Sequence, residues 1–190
     1  MPAHHDPPLH AESEHYDVEG FLAGGCSLDE VELAERTGVP AGFAESDVCR
    51  VDQVLPNDVG IVFLSKGILV WIEDIVAFAR ATVGLLRPGG RYYLLDLHPL
   101  TLSTRFQPDQ LVVTDSYSHR SQPRRVVSDG YALSDAGLVA RETREWTHPI
   151  GDVVSTLIDA GLVIEFLHEH PAQQDPCIPG MFSVSGIREG

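Results

Sequence analysis

The chain has 190 residues, a hydrophobic content of 43% and a formal net charge of −15. That is enough for one globular domain with its own core, and too apolar for a disordered chain. With 13 basic residues against 28 acidic ones, and one dense basic group at Arg120, Arg124 and Arg125, it lacks the clustered Lys and Arg that nucleic acid or an anionic membrane requires.

Residues 1–15 hold three prolines and four histidines, His4, His5, His10 and His15, with no paired ligand spacing carried into the rest of the chain. They read as a mobile tail, without the apolar stretch of a signal peptide. No apolar run reaches the roughly 20 residues of a membrane helix. Cys26, Cys49 and Cys177 are scattered and odd in number, which points to free thiols in a reducing cytoplasm. Asp29 to Arg36 can be helical, with Val31 and Leu33 partly buried.

The central stretch runs from Asp58 to Pro99. Val59 to Leu64 is a short, β-branched apolar run, as in a strand buried on both faces of a parallel sheet. Ser65-Lys66-Gly67 breaks it. Asp74 is placed to cap a helix carrying Ile75, Phe78, Ala79, Thr82, Leu85 and Leu86 at helical spacing. Pro88-Gly89-Gly90 stops that helix, and Arg91 to Leu97 is a second strand. Together they predict a right-handed parallel βαβ unit.

Leu111 to Tyr117 and Leu138 to Trp146 alternate in places as antiparallel strands do, and Arg124 to Tyr131 suits a third. The segment 148–162 then predicts a helix with Val154, Leu157 and Ile158 on its apolar stripe and Gly161 as its stop. Two strands follow, "VIEFLHEH" and "GMFSVSGIRE".

"LLRPGG" followed by "YYLLD", preceded by "VFLSKGILVWIED" and closed by Asp96-Leu97-His98-Pro99, resembles the second half of class I S-adenosylmethionine (SAM)-dependent methyltransferases, small-molecule type. The resemblance extends more weakly over residues 16–188. It implies a Rossmann-like α/β domain over residues 16–190, with helices on both faces of the sheet. Strands four, five, seven and six of the family should be contiguous, strand seven antiparallel. Residues 100–147 become an acceptor-side insertion with a small antiparallel β element. Tyr16 to Leu33 becomes a lead-in that folds over the cofactor end, and Ala41 to Ala44 the third strand. SAM is the implied cofactor and a small molecule the implied acceptor.

One departure stands out. The family places a strand, a G-x-G-x-G loop, a helix and a second strand ending in an acid after the lead-in. Here "SLDEVEL" runs straight into "AERTGVPAGFAESDVCRVDQVLP". A βαβ unit takes about 30 residues or more, and none lie between Leu33 and Ala34. The expectation is a truncated fold retaining strands three to seven, with strand three beside strand four or detached, and weak SAM binding. The alternative is an inactive remnant that associates through an exposed sheet edge, as a dimer or with a relative. A nicotinamide oxidoreductase on a similar sheet needs the same missing glycine-rich turn, and "DLHP" does not belong to it.

The resemblance puts Asp47 against the adenine amino group and Val48 on the adenine ring; Asp47 otherwise reads as a turn cap. Ser65, Gly67 and Ile68 follow strand four, at the carboxyl edge where α/β sheets bind ligands, and would line the donor side. Lys66 should turn to solvent, away from a sulfonium. His98 reads either as a neutral imidazole taking a proton from the acceptor or as a structural histidine before Pro99. Trp71, Trp146 and His148 are placed to line the acceptor pocket, although Trp146 equally suits packing and His148 a helix cap. His168 and His170 lack a third ligand, so no metal is expected. No nucleophile triad is suggested; methyl transfer is an in-line displacement that depends on positioning.

Overall fold

A computed structural model describes residues 37–38, 44–108, 110–118, 122–128, 141–173 and 177–190. Its centre is the predicted βαβ unit: β1 (Val59–Ser65), α1 (Ile75–Gly84) and β2 (Leu86–Leu97), with β1 and β2 parallel. Asp74 caps α1, its Oδ1 accepting the N–H groups of Val76 and Ala77 at 3.0 and 2.9 Å. The helix stops at Gly84, earlier than Pro88-Gly89-Gly90 implied, because Arg188 donates from Nη1 to the carbonyls of Gly84, at 2.9 Å, and of Leu86. The Pro-Gly-Gly turn is instead an irregularity within β2: the pairing jumps from Val59↔Leu86 to Ile61↔Arg91. A Cβ on Gly90 would lie 2.8 Å from the Arg87 carbonyl and 3.0 Å from that of Val59, so only glycine lets the turn close.

After β2 come α2 (Pro99–Ser103), a hairpin of β3 (Thr104–Gln107) and β4 (Gln110–Val113), and a pair β5 (Arg124–Ser128) and β6 (Arg141–Glu145). The 100–147 region does form small antiparallel elements, but in shorter pieces than predicted. Residues 114–117 carry no strand, and residues 129–140 lie outside the described ones. Arg124 ties β5 into place, reaching Glu145 at 2.5 Å and the Leu102 carbonyl at 3.1 Å. α3 (Ile150–Asp159) ends at Gly161, which takes the expected left-handed φ of 94°. Its buried residues are Val153 and Leu157; Ile158, predicted on the stripe, is 51% exposed.

β7 (Leu162–Pro171) and β8 (Pro179–Arg188) complete a sheet of order β1-β2-β8-β7, in which β8 runs antiparallel to both neighbours. Four contiguous strands with one antiparallel to its neighbours make a mixed sheet of the kind the resemblance implies. Among the described residues β1 is an edge strand. The expected third strand, Ala41 to Ala44, falls outside them except for Ala44, which is irregular.

One face of this sheet carries the core. Val62, Tyr92, Leu94, Phe182 and Val184 pack against Phe78 and Val83 of α1 and Val153 and Leu157 of α3. Each such side chain contributes about 1.5–3 kcal/mol by burial. Tyr92 is fully buried, and its hydroxyl meets Thr82 Oγ1 at 3.1 Å. The opposite face carries neither of these helices among the described residues, and the expected helices there concern residues outside them. It presents a row of rings: Phe63 stacks on Tyr93 at 5.4 Å, Tyr93 meets Phe166 edge-on, and Phe166 stacks on His168 at 4.5 Å. Among the described residues no helix is long and apolar enough to cross a membrane, and no cluster of His, Cys, Asp and Glu could hold a metal ion.

Candidate functional site

The site is built at the carboxyl edge of the parallel pair, where β1 gives way to a sharp loop. Lys66 has φ 51° and Gly67 φ 87°, two successive left-handed residues. For Lys66 this costs on the order of 1 kcal/mol, a strain that persists only where the surroundings hold it. They do. Lys66 N–H donates to the Leu95 carbonyl at 2.7 Å. Asp96, fully buried near the end of β2, reaches across: Oδ1 accepts Gly67 N–H at 2.8 Å and Oδ2 accepts Leu69 N–H at 2.9 Å. Oδ1 also accepts Leu97 N–H at 2.6 Å. Burial pushes this carboxyl above its usual range, and the N–H groups oppose that rise.

The loop continues as a single 3-10 turn, Leu69–Trp71. The segment after β6 docks on it. Trp146 N–H donates to the Val70 carbonyl at 2.8 Å, and His148 donates from Nε2 to the Ile72 carbonyl at 2.7 Å. Burial lowers the pKa of His148, opposed by the Ile72 bond and by Asp152. Trp71, Trp146 and His148, predicted to share a pocket from distant stretches, are therefore brought to one end of the sheet. Each is half-buried.

The 3-10 turn Val48–Gln53 packs against α1 and joins the same end, with Cys49 Sγ 3.9 Å from the Asp74 carbonyl at the start of α1. Asp47 opens that turn. Its Oδ1 accepts Cys49 N–H at 2.9 Å, and the side chain is exposed. Val48 is half-buried against the core. Burial, Asp47 and Asp74 raise the Cys49 thiol to about 11, so it stays protonated at neutral pH.

Ser65 ends β1 and Gly67 lies in the sharp loop after it, both half-buried, and Lys66 turns to solvent. Ile68 does not line the opening. It is 3% exposed and belongs to the core, because the Gly67 turn and the Asp96 bonds draw the chain inward. His98 caps α2: its Nδ1 accepts Leu100 N–H at 3.1 Å, which leaves Nε2–H to donate to Glu169 at 2.8 Å. Neither ring nitrogen keeps a free lone pair in this arrangement. Burial lowers its pKa and the Glu169 carboxylate raises it, with burial the larger effect.

Sequence reasoning named Asp96 only as part of a motif. The signal was present: an acid inside the apolar run "YYLLDL" has to find donors when buried. Glu169 as the partner of His98 had no local signal.

No protein-family model and no curated protein matches the chain. Solved structures do match. A SAM-dependent methyltransferase from Mesorhizobium loti aligns with a TM-score of 0.57 at 20% identity, over 85% of this chain and 77% of that one. A candidate SAM-dependent methyltransferase from Listeria monocytogenes gives 0.59 at 16% identity, over 86% and 78%. A glycopeptide N-methyltransferase solved with SAM gives 0.50 at 13% identity, over 84% and 68%. The chain has the class I methyltransferase fold. At these identities the likeness fixes the fold, and the chemistry has to be argued from the site.

Proposed function

We propose that the chain is a SAM-dependent methyltransferase domain for a small-molecule acceptor, with a weakened hold on its cofactor. The observation that carries this is the loop after β1, strained at Lys66 and Gly67 and held by Asp96 at the carboxyl edge of a methyltransferase sheet. That is where such sheets take ligands.

The described residues fit part of SAM. Asp47 at the head of its turn and Val48 beside it suit the adenine edge, and Ser65 and Gly67 suit the donor side. Ile68, being in the core, supports the loop and does not touch the ligand. Among the described residues no glycine-rich strand–loop–helix unit exists for the methionine end, and no acid ends a strand beside β1 for the ribose. We read this as loss of the first βαβ unit at Leu33–Ala34.

When bound, SAM supplies the methyl group as an electrophile. The protein's part is to orient the acceptor with Trp71, Trp146 and His148. His98, with both nitrogens engaged, serves to fix α2 and the end of β2 and does not act as the proton acceptor. A sulfonium donor has no need of an activated enzyme nucleophile, and positioning supplies the rate.

Hydrogen bonds to charged groups contribute about 1.5–3 kcal/mol each. Losing three removes at least about 4.5 kcal/mol, roughly three powers of ten in affinity. The expected result of titrating the full chain with SAM is therefore millimolar binding, seen as movement of the Ser65 and Gly67 amide resonances. Micromolar binding would show that another segment replaces the lost unit. No movement of those resonances at saturating millimolar SAM sinks the reading.

A second reading rests on a different observation. β1 is the edge strand among the described residues, and Ile61 and Phe63 on it are 64% and 58% exposed. An unpaired apolar edge recruits a partner strand, and a second copy of this chain is the simplest partner.

A further inference from the structure

We propose that Asp96 is a positioning residue, whose carboxylate sets the backbone path of residues 66–69 and so the shape of the donor-side opening. The inference rests on the methyltransferase reading for what the loop does, and on the geometry alone for how it is held.

Three features carry it. The carboxylate is fully buried, and among the described residues its hydrogen-bond partners are backbone groups rather than cationic side chains: the N–H groups of Gly67, Leu69 and Leu97. Two of those belong to the loop, 29 and 27 residues earlier in the chain. The loop conformation they hold is one that L residues avoid, with Lys66 at φ 51° and Gly67 at φ 87°. A buried carboxylate that only filled space would be better replaced by an apolar side chain. Here both oxygens are aimed at a strained backbone next to the opening. Charge-assisted bonds of this kind are about twice as strong as neutral ones, so the carboxylate holds the loop more tightly than an amide would.

The test compares the full wild-type chain with Asp96→Asn. Asn is isosteric but offers one acceptor oxygen where Asp offers two. The readouts are the amide resonances of Gly67 and Leu69 and the SAM dissociation constant from an NMR titration. The expected result is a shift of both amides with core amides such as Val184 unmoved, and SAM binding at least tenfold weaker. A purely structural Asp96 would lower the melting temperature and leave the affinity of the folded chain unchanged; that outcome overturns the proposal.

If Asp96→Asn does not fold, Gly67→Ala carries the test. An added Cβ there meets nothing within 4 Å, so the change strains the loop through φ alone and leaves the carboxylate in place. Tenfold weaker SAM binding supports a set loop path, and wild-type affinity overturns it. A wild-type chain that gives no response to SAM defeats the methyltransferase reading by itself. The amides of Gly67 and Leu69 then still decide the clamp: moved in Asp96→Asn, it stands; unmoved, it falls.

Discussion

The ring of His98 is held on three sides: Leu100 N–H on Nδ1, Glu169 on Nε2, and the edge of Phe182 at 6.3 Å. Its pKa falls below the ordinary 6.5 because burial outweighs the Glu169 charge. The sign for stability follows. Above pH 6.5 the ring is neutral in both the folded and unfolded chain and contributes nothing to the pH dependence. Below it the unfolded chain takes up a proton that the folded chain resists, so stability falls with pH. His98→Asn keeps a cap acceptor and removes the titration. We expect the stability advantage of wild type over His98→Asn, measured by urea unfolding, to shrink between about pH 7.5 and 5.5. Asp96 and His148 titrate in both proteins and cancel in the difference. His98→Ala also loses the cap, worth about 1 kcal/mol at any pH. A wild-type advantage that grows towards low pH would show that the Glu169 pair governs the ring after all. From the sequence His98 carried two readings, base or structural residue. The choice needed Glu169, 71 positions away, which no local pattern could supply.

At the scale of elements, the βαβ unit and α3 were readable because each is specified locally: an apolar run, a capping Asp, a stop at Gly161. β3 was missed, and β4 was read only as part of a longer strand over Leu111 to Tyr117, because both are short and mostly exposed, although Pro108-Asp109 between them is a turn signal. Close strand packing was also illegible, and two glycines show it. Gly186 in β8 sits between Tyr92 and Ile164, and a Cβ there would meet the Val163 carbonyl at 2.6 Å and Leu162 Cγ at 2.8 Å. Leu162 is itself buried, so nothing can yield cheaply. Gly151 lies in the exposed first turn of α3 with open space around it. Gly186→Ala should destabilise by about 1–3 kcal/mol as overpacking, and Gly151→Ala should stabilise by about 0.5 kcal/mol through helix propensity. Denaturant midpoints for the two variants check this, and equal effects at both sites would contradict the packing at β8.

For the whole molecule, a mixed α/β sheet was legible through resemblance, whereas the ring-lined second face of the described sheet was not. Val59 to Leu64 reads as a strand buried on both sides, yet Ile61 and Phe63 stand in the open and only Val62 is deeply buried. Two forces then compete over association. The edge of β1 and the ring row from Phe63 to Phe166 favour a second copy; a net charge of −15 on each chain opposes it. Salt separates them. Charge repulsion is screened over about 10 Å at 0.1 M and about 3 Å at 1 M, while apolar attraction is not weakened. Light scattering after size exclusion should therefore show the chain moving from monomer toward dimer as salt rises. Phe63→Lys, alone or with Ile61→Lys, should keep it monomeric at every salt concentration, since a charge on an edge strand blocks pairing. A wild-type chain that stays monomeric at 1 M salt and high concentration would remove the association reading. A dimer that instead dissociates as salt rises would place the interface on ion pairs, away from β1.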